Sequence, residues 1–220
     1  MPRTLIFANG ILPDPASARK ILRDDDIIVC ADGGTRHALA LGLTPSVIIG
    51  DLDSILEEEK RKMKEDGVQI LQYPRDKNET DLELALNYAI ESGAHEIIVI
   101  AAQGNRLDQT LGNLALLTNV QLSTLNVKLD DGMEEAFFCR GRSEVRGRRG
   151  DLVSLIPWGS GVSGVRTEGL RWPLSNETLF PHKTRGISNE MLDEVAEIQI
   201  TSGLLLVIHR RQSSSENQKL

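Results

Sequence analysis

Asp51 and Asp53 stand two residues apart, directly after Gly50 and an apolar run. Where an extended segment passes through a glycine into a turn, side chains two residues apart can converge on one hard cation. Mg²⁺ takes oxygen ligands, usually from one or two carboxylates together with substrate phosphates. The same stretch also fits an ordinary loop in which Ser54 caps a helix and Glu57 completes a capping box. Taken alone, the segment supports the two interpretations about equally.

The first part of the chain alternates apolar, β-branched runs with helical patterns. The runs predict strands at residues 4–8, 27–31, 46–50, 68–73, 96–102 and 127–129. Helical patterns follow at about 35–41, 56–65, 80–92 and 110–119. The clearest of these helices begins with a capping box at Thr80 and Glu83. Strands that alternate with helices predict an α/β domain with a mostly parallel, doubly wound sheet.

The pattern changes after about residue 132, where glycines, prolines and short apolar runs replace the helical patterns. Runs at 152–156, 197–200 and 204–208 predict a small all-β sandwich or partial barrel. We therefore expect an α/β domain over residues 1–132 and a β-sandwich domain over residues 133–210. Residues 211–220 contain few apolar side chains and are predicted to form a disordered tail.

Polar residues cluster where each of the first five predicted strands ends. The clusters are Asn9 with Gly10, Asp32 with Gly33 and Gly34, Asp51 with Asp53, Lys77 with Asn78, Thr80 and Asp81, and Arg106 with Asp108. In open α/β sheets, ligands bind beyond the carboxyl ends of the strands. Acids and glycines on five loops at the same edge of the sheet indicate a binding site rather than ordinary polar surface residues.

The chemistry that these residues suit is transfer of a phosphorus group. Gly33 and Gly34 would let backbone N–H groups approach phosphate oxygens, near the positive end of a helix. A simple tight turn explains the two glycines equally well. Arg106 could bind phosphate as a fork, or merely form a surface ion pair with Asp108. The sequence contains no GxxxxGK[ST], which excludes a Walker-type ATPase, and residues 1–132 contain no GxGxxG, which weakens a dinucleotide site there.

Composition argues against several other classes. Aromatic residues make up 4% of the chain, too few for a platform that stacks single-stranded nucleic acid. Residues 1–131 carry 13 Lys/Arg against 21 Asp/Glu, a balance that suits cation binding. Cys30 and Cys139 form no disulfide framework, and Cys30 is predicted to be a core residue. No apolar run is long enough for a signal peptide or a membrane span. We expect a cytoplasmic protein without nucleic-acid or membrane partners.

Taken in order along the chain, the polar clusters resemble the thiamine pyrophosphokinase family. The motifs that carry the resemblance are Ala31-Asp32-Gly33-Gly34, Gly50-Asp51-Leu52-Asp53-Ser54, Thr80-Asp81, Arg106-Leu107-Asp108-Gln109, Gly169-Leu170-Arg171-Trp172-Pro173-Leu174 and Gly186-Ile187-Ser188-Asn189-Glu190. The resemblance covers nearly the whole chain, from Asn9 to the run at 203–208. As a set the motifs are very specific, although each alone is weak.

The resemblance implies an α/β domain that binds ATP and Mg²⁺, followed by a β-sandwich, in a homodimer with thiamine at the subunit interface. It makes Asp51, Asp53 and Asp81 look like the carboxylates around Mg²⁺ and the polyphosphate. The other residues that it assigns to catalysis or ATP binding are Asn9, Asp32, Gly33, Gly34, Lys77, Thr80, Arg106, Asp108 and Gln109.

For the thiamine pocket, the resemblance points to Trp172, Ser188 and Asn189. A tryptophan face suits a cationic, aromatic ligand through stacking and cation–π attraction. Without the resemblance, Trp172 would be interpreted as a core residue of the β domain.

The sequence departs from the family at three positions. Asn78 stands where the family often has aspartate, Asn105 where glycine is usual, and Gln109 where many bacterial members have histidine. The acid set is largely intact, so these changes bear on metal affinity and on the loop after the fifth strand.

The implied reaction is attack of the thiamine hydroxyl on the β-phosphorus of ATP, which yields thiamine diphosphate and AMP. Such transfers depend on positioning and on charge neutralisation, to which Mg²⁺ contributes. One alternative is a non-catalytic thiamine or nucleotide sensor, which Asn78 favours. Another is a Mg²⁺-dependent phosphohydrolase that uses the same acids with water as nucleophile, although Trp172 and the β domain would then be surplus.

Overall fold

In the computed structural model, which describes residues 3–53, 55 and 57–212, the chain divides into two units at residue 132. The first unit is α/β and the second consists of antiparallel strands, so the predicted fold class is confirmed. Within the described ranges, no helix is both long enough and apolar enough to cross a lipid bilayer.

The sheet of the first unit is parallel. Its strands are β1 (Arg3–Phe7), β2 (Ile27–Ala31), β3 (Val47–Gly50), β4 (Gln69–Gln72), β5 (Glu96–Ile100) and β6 (Asn126–Asp130). They lie in the order β6-β5-β1-β2-β3-β4. The chain therefore extends the sheet in one direction from β1 to β4 and in the other from β5 to β6. Because parallel crossovers are right-handed, the two directions place helices on opposite faces of the sheet.

The helices between these strands are short. They are α1 (Pro15–Arg19), α2 (Thr35–Ala40), α3 (Glu57–Glu65), α4 (Asp81–Glu91) and α5 (Leu107–Leu116). In α4, the Thr80 side chain accepts from the Glu83 N–H, as the capping box predicts, and its apolar stripe packs on β1, β2 and β3. The other predicted cap, Ser54, lies outside the described residues.

Two helices differ from the prediction. Helix α5 begins at Leu107, three residues before the predicted start, because its first turn is exposed and adds nothing to the apolar periodicity; Leu107 is 71% exposed. Helix α1 was not predicted, because it buries Ala18 alone and a single small residue does not form the apolar stripe by which a helix is recognised in a sequence. Its sequence signal is the cap at Asp14 followed by Pro15.

The second unit contains antiparallel strands in two sheets. The strands are β7 (Glu134–Cys139), β8 (Arg142–Arg146), β9 (Leu152–Pro157), β10 (Val162–Glu168), β11 (Ser175–Leu179), β12 (Asn189–Glu190), β13 (Val195–Gln199) and β14 (Leu205–Arg210). One sheet has the order β12-β9-β14-β7 and the other β11-β10-β13-β8. Buried residues of both sheets, such as Val153 and Ile198, form one apolar cluster, which makes this unit a sandwich.

A buried polar group connects strands of the second unit. His209 on β14 is fully buried, with Nδ1 2.9 Å from Glu135 Oε1 and Nε2 3.1 Å from Asp151 Oδ2. Gly147 lies directly against this contact, because a Cβ there would stand 2.6 Å from Asp151 Oδ2 and 2.7 Å from His209 Nε2. The three side chains thus join β7, β14 and the start of β9.

Some predictions concern the core and the end of the chain. Cys30 is fully buried, as predicted, and its burial raises the pKa of the thiol to about 12. Arg211 and Gln212, which the sequence analysis assigned to the tail, donate backbone hydrogen bonds to Met133 O and Asp151 Oδ1. The remainder of the predicted tail, residues 213–220, lies outside the described residues.

Candidate active site

The loop after β3 presents two carboxylates around a buried leucine. Leu52 has a φ of +57° and is fully buried, so it anchors the loop in the core between Asp51 and Asp53. Gly50 allows the neighbouring loops to approach, because a Cβ there would lie 2.9 Å from Asp32 Cβ and 3.3 Å from Asp81 Cγ. This local conformation, unusual for leucine, places the acids at the carboxyl end of β3.

The carboxylates of Asp32, Asp51 and Asp53 each offer an oxygen within 4.8 Å of the others. Asp32 Oδ1 is buried and has no hydrogen-bond partner among the described residues. Burial raises the pKa of Asp32, and the charges of Asp81, Asp51 and Asp53 raise it further. A cluster of carboxylate oxygens, one of them buried without a donor, fits a hard divalent cation such as Mg²⁺.

The predicted metal set was Asp51, Asp53 and Asp81, and the structure brings the first two together with Asp32. Asp81 lies beside these loops, since both Asp32 and Asp81 approach Gly50. The Oδ1 of Asp81, however, lies 2.9 Å from Lys77 Nζ. The ammonium thus neutralises charge beside the cluster.

A cavity of about 580 Å³ lies at the same edge of the sheet, a volume typical of small-molecule sites. It extends from the acidic loops to the loops after β1 and β5, where the strand order reverses. The last two loops are joined by backbone hydrogen bonds from Gly10 N to Ala101 O (2.8 Å) and from Ile11 N to Gln103 O (2.7 Å). This reversal is the usual ligand-binding position of an open α/β sheet.

The cavity collects most of the predicted residues of the first unit. Those that line it are Asn9, Asp51, Lys77, Thr80, Asp81, Arg106 and Gln109, together with Asn105. Asp32, Asp53 and Asp108 do not line it, and neither do Gly33, Gly34 or the exposed Asn78.

Gly33 and Gly34 have a packing role in the structure. A Cβ on Gly34 would stand 2.0 Å from Phe7 O, and a Cβ on Gly33 would stand 2.5 Å from Asn9 Oδ1. The two glycines therefore allow the turn after β2 to lie against β1 and its loop. Backbone contacts from these residues to phosphate remain a prediction.

Arg106 forms the ion pair that the sequence analysis gave as its alternative role. Its Nε lies 3.2 Å from Asp108 Oδ1, and both side chains are exposed. The pairing raises the pKa of Arg106 and lowers the pKa of Asp108. Arg106 also lines the cavity, so a phosphate could replace Asp108 as its partner.

The predicted thiamine residues form a group in the second unit. Trp172 is 55% exposed, so the interpretation of this residue as core is wrong. The buried Asn189 bonds to both backbone polar groups of Trp172, and Ser188 adopts a φ of +57° with its N–H donating to Ser154 Oγ. Arg171, held by Glu190 Oε2 at 2.8 Å, lies over the indole with its Cζ 5.2 Å from the ring centroid.

Sequence reasoning missed several residues that line the cavity. Gln103 lies three residues beyond the end of β5, Arg36 lies two residues after Gly34, and Asn113 lies on α5 with its Nδ2 donating to Ala102 O at 2.7 Å. The signal for Gln103 and Arg36 is their place beyond the carboxyl end of a strand. Asn113 had no such signal, because it reaches the site only through the geometry of α5.

Comparison with known proteins identifies a family that both units match. The profile of "Thiamin pyrophosphokinase, catalytic domain" matches residues 18–129, and that of "Thiamin pyrophosphokinase, vitamin B1 binding domain" matches residues 142–205. Thiamine pyrophosphokinase of Bacillus subtilis is 29% identical over 179 residues, covering 80% of this chain and 84% of that protein. Thiamine pyrophosphokinase 1 of Oryza sativa is 28% identical over 211 residues, covering 83% and 78%.

Solved structures show the same architecture. The crystal structure of the Bacillus subtilis thiamine pyrophosphokinase matches with a TM-score of 0.85 at 25% identity, covering 96% of this chain and 100% of that one. Thiamin pyrophosphokinase from Geobacillus thermodenitrificans matches with a TM-score of 0.82 at 26% identity, covering 97% of this chain and 99% of that one. Since the matched profiles span both units, the chain belongs to the thiamine pyrophosphokinase family.

Proposed function

We propose that this protein transfers the pyrophosphoryl group of ATP to the hydroxyl of thiamine, giving thiamine diphosphate and AMP. The observation that carries the proposal is the cluster of Asp32, Asp51 and Asp53 beside a cavity of about 580 Å³, in a chain that matches both the catalytic and the vitamin B1 binding profile. A sensor or a phosphohydrolase would share the acids, but the matched relatives are named as thiamine pyrophosphokinases.

Asp32, Asp51 and Asp53 would hold Mg²⁺, since their oxygens lie close together and Asp32 Oδ1 is buried without a donor. When bound, the ion would neutralise charge on the phosphate oxygens. Lys77, beside Asp81, and Arg106 supply positive charge at the same cavity. These side chains position the triphosphate, and a carboxylate of the group accepts the hydroxyl proton.

Thiamine would bind at the surface of the second unit around Trp172. The exposed indole offers a face to a cationic aromatic ring, and Asn189 and Arg171 fix its orientation. Family resemblance further supports a homodimer in which the thiamine site lies at the subunit interface. Light scattering on the purified protein measures the mass directly, and a monomeric mass at assay concentration would overturn the dimer.

The decisive experiment resolves the products of ATP, Mg²⁺ and thiamine. Equal amounts of AMP and thiamine diphosphate establish pyrophosphoryl transfer. ADP with thiamine monophosphate would indicate an ordinary kinase. Binding without any product would indicate the sensor, and phosphate release that needs no thiamine would indicate the phosphohydrolase.

Asp53→Asn tests the assignment of the acids. Because one charge of the cluster is lost while the size of the side chain is kept, turnover should fall at least about 100-fold, and the remaining activity should need more Mg²⁺. The control is Asp66→Asn, an exposed acid after α3 that does not line the cavity. Turnover of Asp53→Asn equal to that of the control would contradict the assignment.

A further inference from the structure

The cations at the cavity differ in how they are paired. Among the described residues, its basic side chains are Arg36, Arg75, Lys77 and Arg106. Arg75 lies 3.8 Å from Asp53, Lys77 lies 2.9 Å from Asp81, and Arg106 pairs with Asp108. Within the same described ranges, Arg36 has no carboxylate partner. An arginine that lines a cavity without a counter-ion is suited to bind an anionic ligand.

Arg36 is held loosely where two loops meet. It stands in the first turn of α2, two residues after Gly34, and its Nη2 reaches Gly10 O at the long distance of 3.4 Å. Among the described residues, the Arg36 guanidinium makes this one hydrogen bond, and the side chain is exposed. Since a guanidinium carries five N–H donors in a fixed fork, most of them remain available to a ligand.

The strand order places Arg36 relative to the chemistry. The acids lie beyond β2 and β3, whereas Gly10 lies beyond β1, next to the crevice between β1 and β5. If the acids hold the β- and γ-phosphates and the nucleoside lies in the crevice between β1 and β5, where ligands of open α/β sheets bind, the α-phosphate lies between the two, beside the loop after β1 that Arg36 reaches. Gly10 itself is fixed there, because its N–H donates to Ala101 O and its carbonyl also lies 2.9 Å from His37 Nε2.

We propose that Arg36 is a catalytic residue that binds the α-phosphate of ATP and neutralises the charge that develops on the departing AMP. The inference rests on the proposed function. In the transfer, a bond forms between the thiamine oxygen and the β-phosphorus, and the bond from the β-phosphorus to the bridging oxygen breaks. That oxygen and its electron pair leave with AMP, while the hydroxyl proton passes to a carboxylate. The guanidinium therefore contacts the group whose negative charge increases.

The test compares Arg36→Gln with a matched control, Arg19→Gln. Arg19 is also exposed, has no carboxylate partner among the described residues, and reaches a carbonyl, Ala40 O, at 3.5 Å, but it does not line the cavity. AMP and adenosine binding are measured by calorimetry, and kcat and KM for ATP by product analysis. Arg36→Lys serves as the variant that keeps the charge and loses the fork.

Arg36→Gln should weaken AMP binding by about 10- to 100-fold relative to Arg19→Gln, and adenosine binding should stay unchanged. Its kcat should fall as well, because the charge on the leaving group is greatest in the transition state. Arg36→Lys should be intermediate. AMP affinity equal to that of the control, or an equal loss for AMP and adenosine, would overturn the proposal.

The two proposals fail in different ways. If the wild-type protein forms AMP and thiamine diphosphate while Arg36→Gln behaves as the control does, the function stands and the role of Arg36 falls. If the wild-type protein binds AMP without forming thiamine diphosphate, the function falls, and the comparison of AMP with adenosine still decides whether Arg36 contacts the phosphate.

Discussion

Asn189 holds Trp172 by both polar groups of its backbone. The Asn189 Nδ2 donates to Trp172 O at 2.7 Å, and its Oδ1 accepts from Trp172 N at 3.0 Å. The same Oδ1 also accepts from Glu190 N at 2.9 Å, and Asn189 is 4% exposed. Since the side-chain amide of Asn189 is hydrogen-bonded to the backbone of Trp172 and Glu190, Asn189 affects a ligand by holding the tryptophan in position.

Replacing Asn189 should therefore impair thiamine binding without changing ATP binding. Asn189→Ala removes both hydrogen bonds to Trp172, and Asn189→Asp keeps the acceptor but sets a carboxylate against Trp172 O. We expect the KM for thiamine to rise about 10-fold or more in both, consistent with the loss of one or two hydrogen bonds. Quenching of tryptophan fluorescence by thiamine measures the same affinity. Unchanged thiamine affinity in both variants would contradict this role.

Gly34 and Gly112 should respond in opposite ways to the same substitution. A Cβ at Gly34 would meet Phe7 O at 2.0 Å, so Gly34→Ala forces the backbone apart and should cost about 1–3 kcal/mol. Gly112 lies inside α5 with nothing within 4 Å, so Gly112→Ala should stabilise the first unit by about 0.5–1 kcal/mol.

Helical circular dichroism follows this pair of variants, because the helices of the described chain all lie in the first unit. Chemical denaturation gives the change in unfolding free energy for each variant. Equal midpoints for the two variants would show that the close approach of Gly34 to β1 is not needed.

His209 should be a main source of stability in the second unit. Its imidazole lies in the interior with Nδ1 2.9 Å from Glu135 Oε1 and Nε2 3.1 Å from Asp151 Oδ2, so each ring nitrogen shares a hydrogen bond with a carboxyl group. His209→Leu leaves these acids without that partner and should cost about 3–5 kcal/mol. His209→Gln, which keeps one donor group, should cost less. The exposed His182→Leu is the control.

Tryptophan fluorescence is a local probe for this measurement. The sequence contains two tryptophans, Trp158 and Trp172, and both belong to the second unit. A denaturation midpoint for His209→Leu that matches His182→Leu would show that the buried contact contributes nothing to stability.

Local sequence signals predicted the helices and strands of the first unit but not which of them lie side by side. The alternation of apolar runs and the Thr80 cap were sufficient for the α/β unit, and the loop acids were correctly placed beyond strand ends. What the sequence did not supply was the order of the strands and the distances between loops. Asp32 therefore joins Asp51 and Asp53 in the cluster, whereas Asp81 pairs with Lys77. Arg36 and Asn113 reach the cavity for the same reason, since chain separation does not reveal proximity.

Asp32 should make the protein less stable at neutral pH than it would be with a neutral side chain. Burial and the charges of Asp81, Asp51 and Asp53 raise the pKa of Asp32 above its ordinary value. For an acid with a raised pKa, the folded state holds the proton more tightly than the unfolded chain, so stability decreases as the pH rises through the range between the two pKa values. In the metal-free protein, Asp32→Asn should then raise the melting temperature at neutral pH and lose activity. This gain should vanish below a pH of about 3.9, where the unfolded chain is protonated too. A lower melting temperature of Asp32→Asn at neutral pH would contradict the argument.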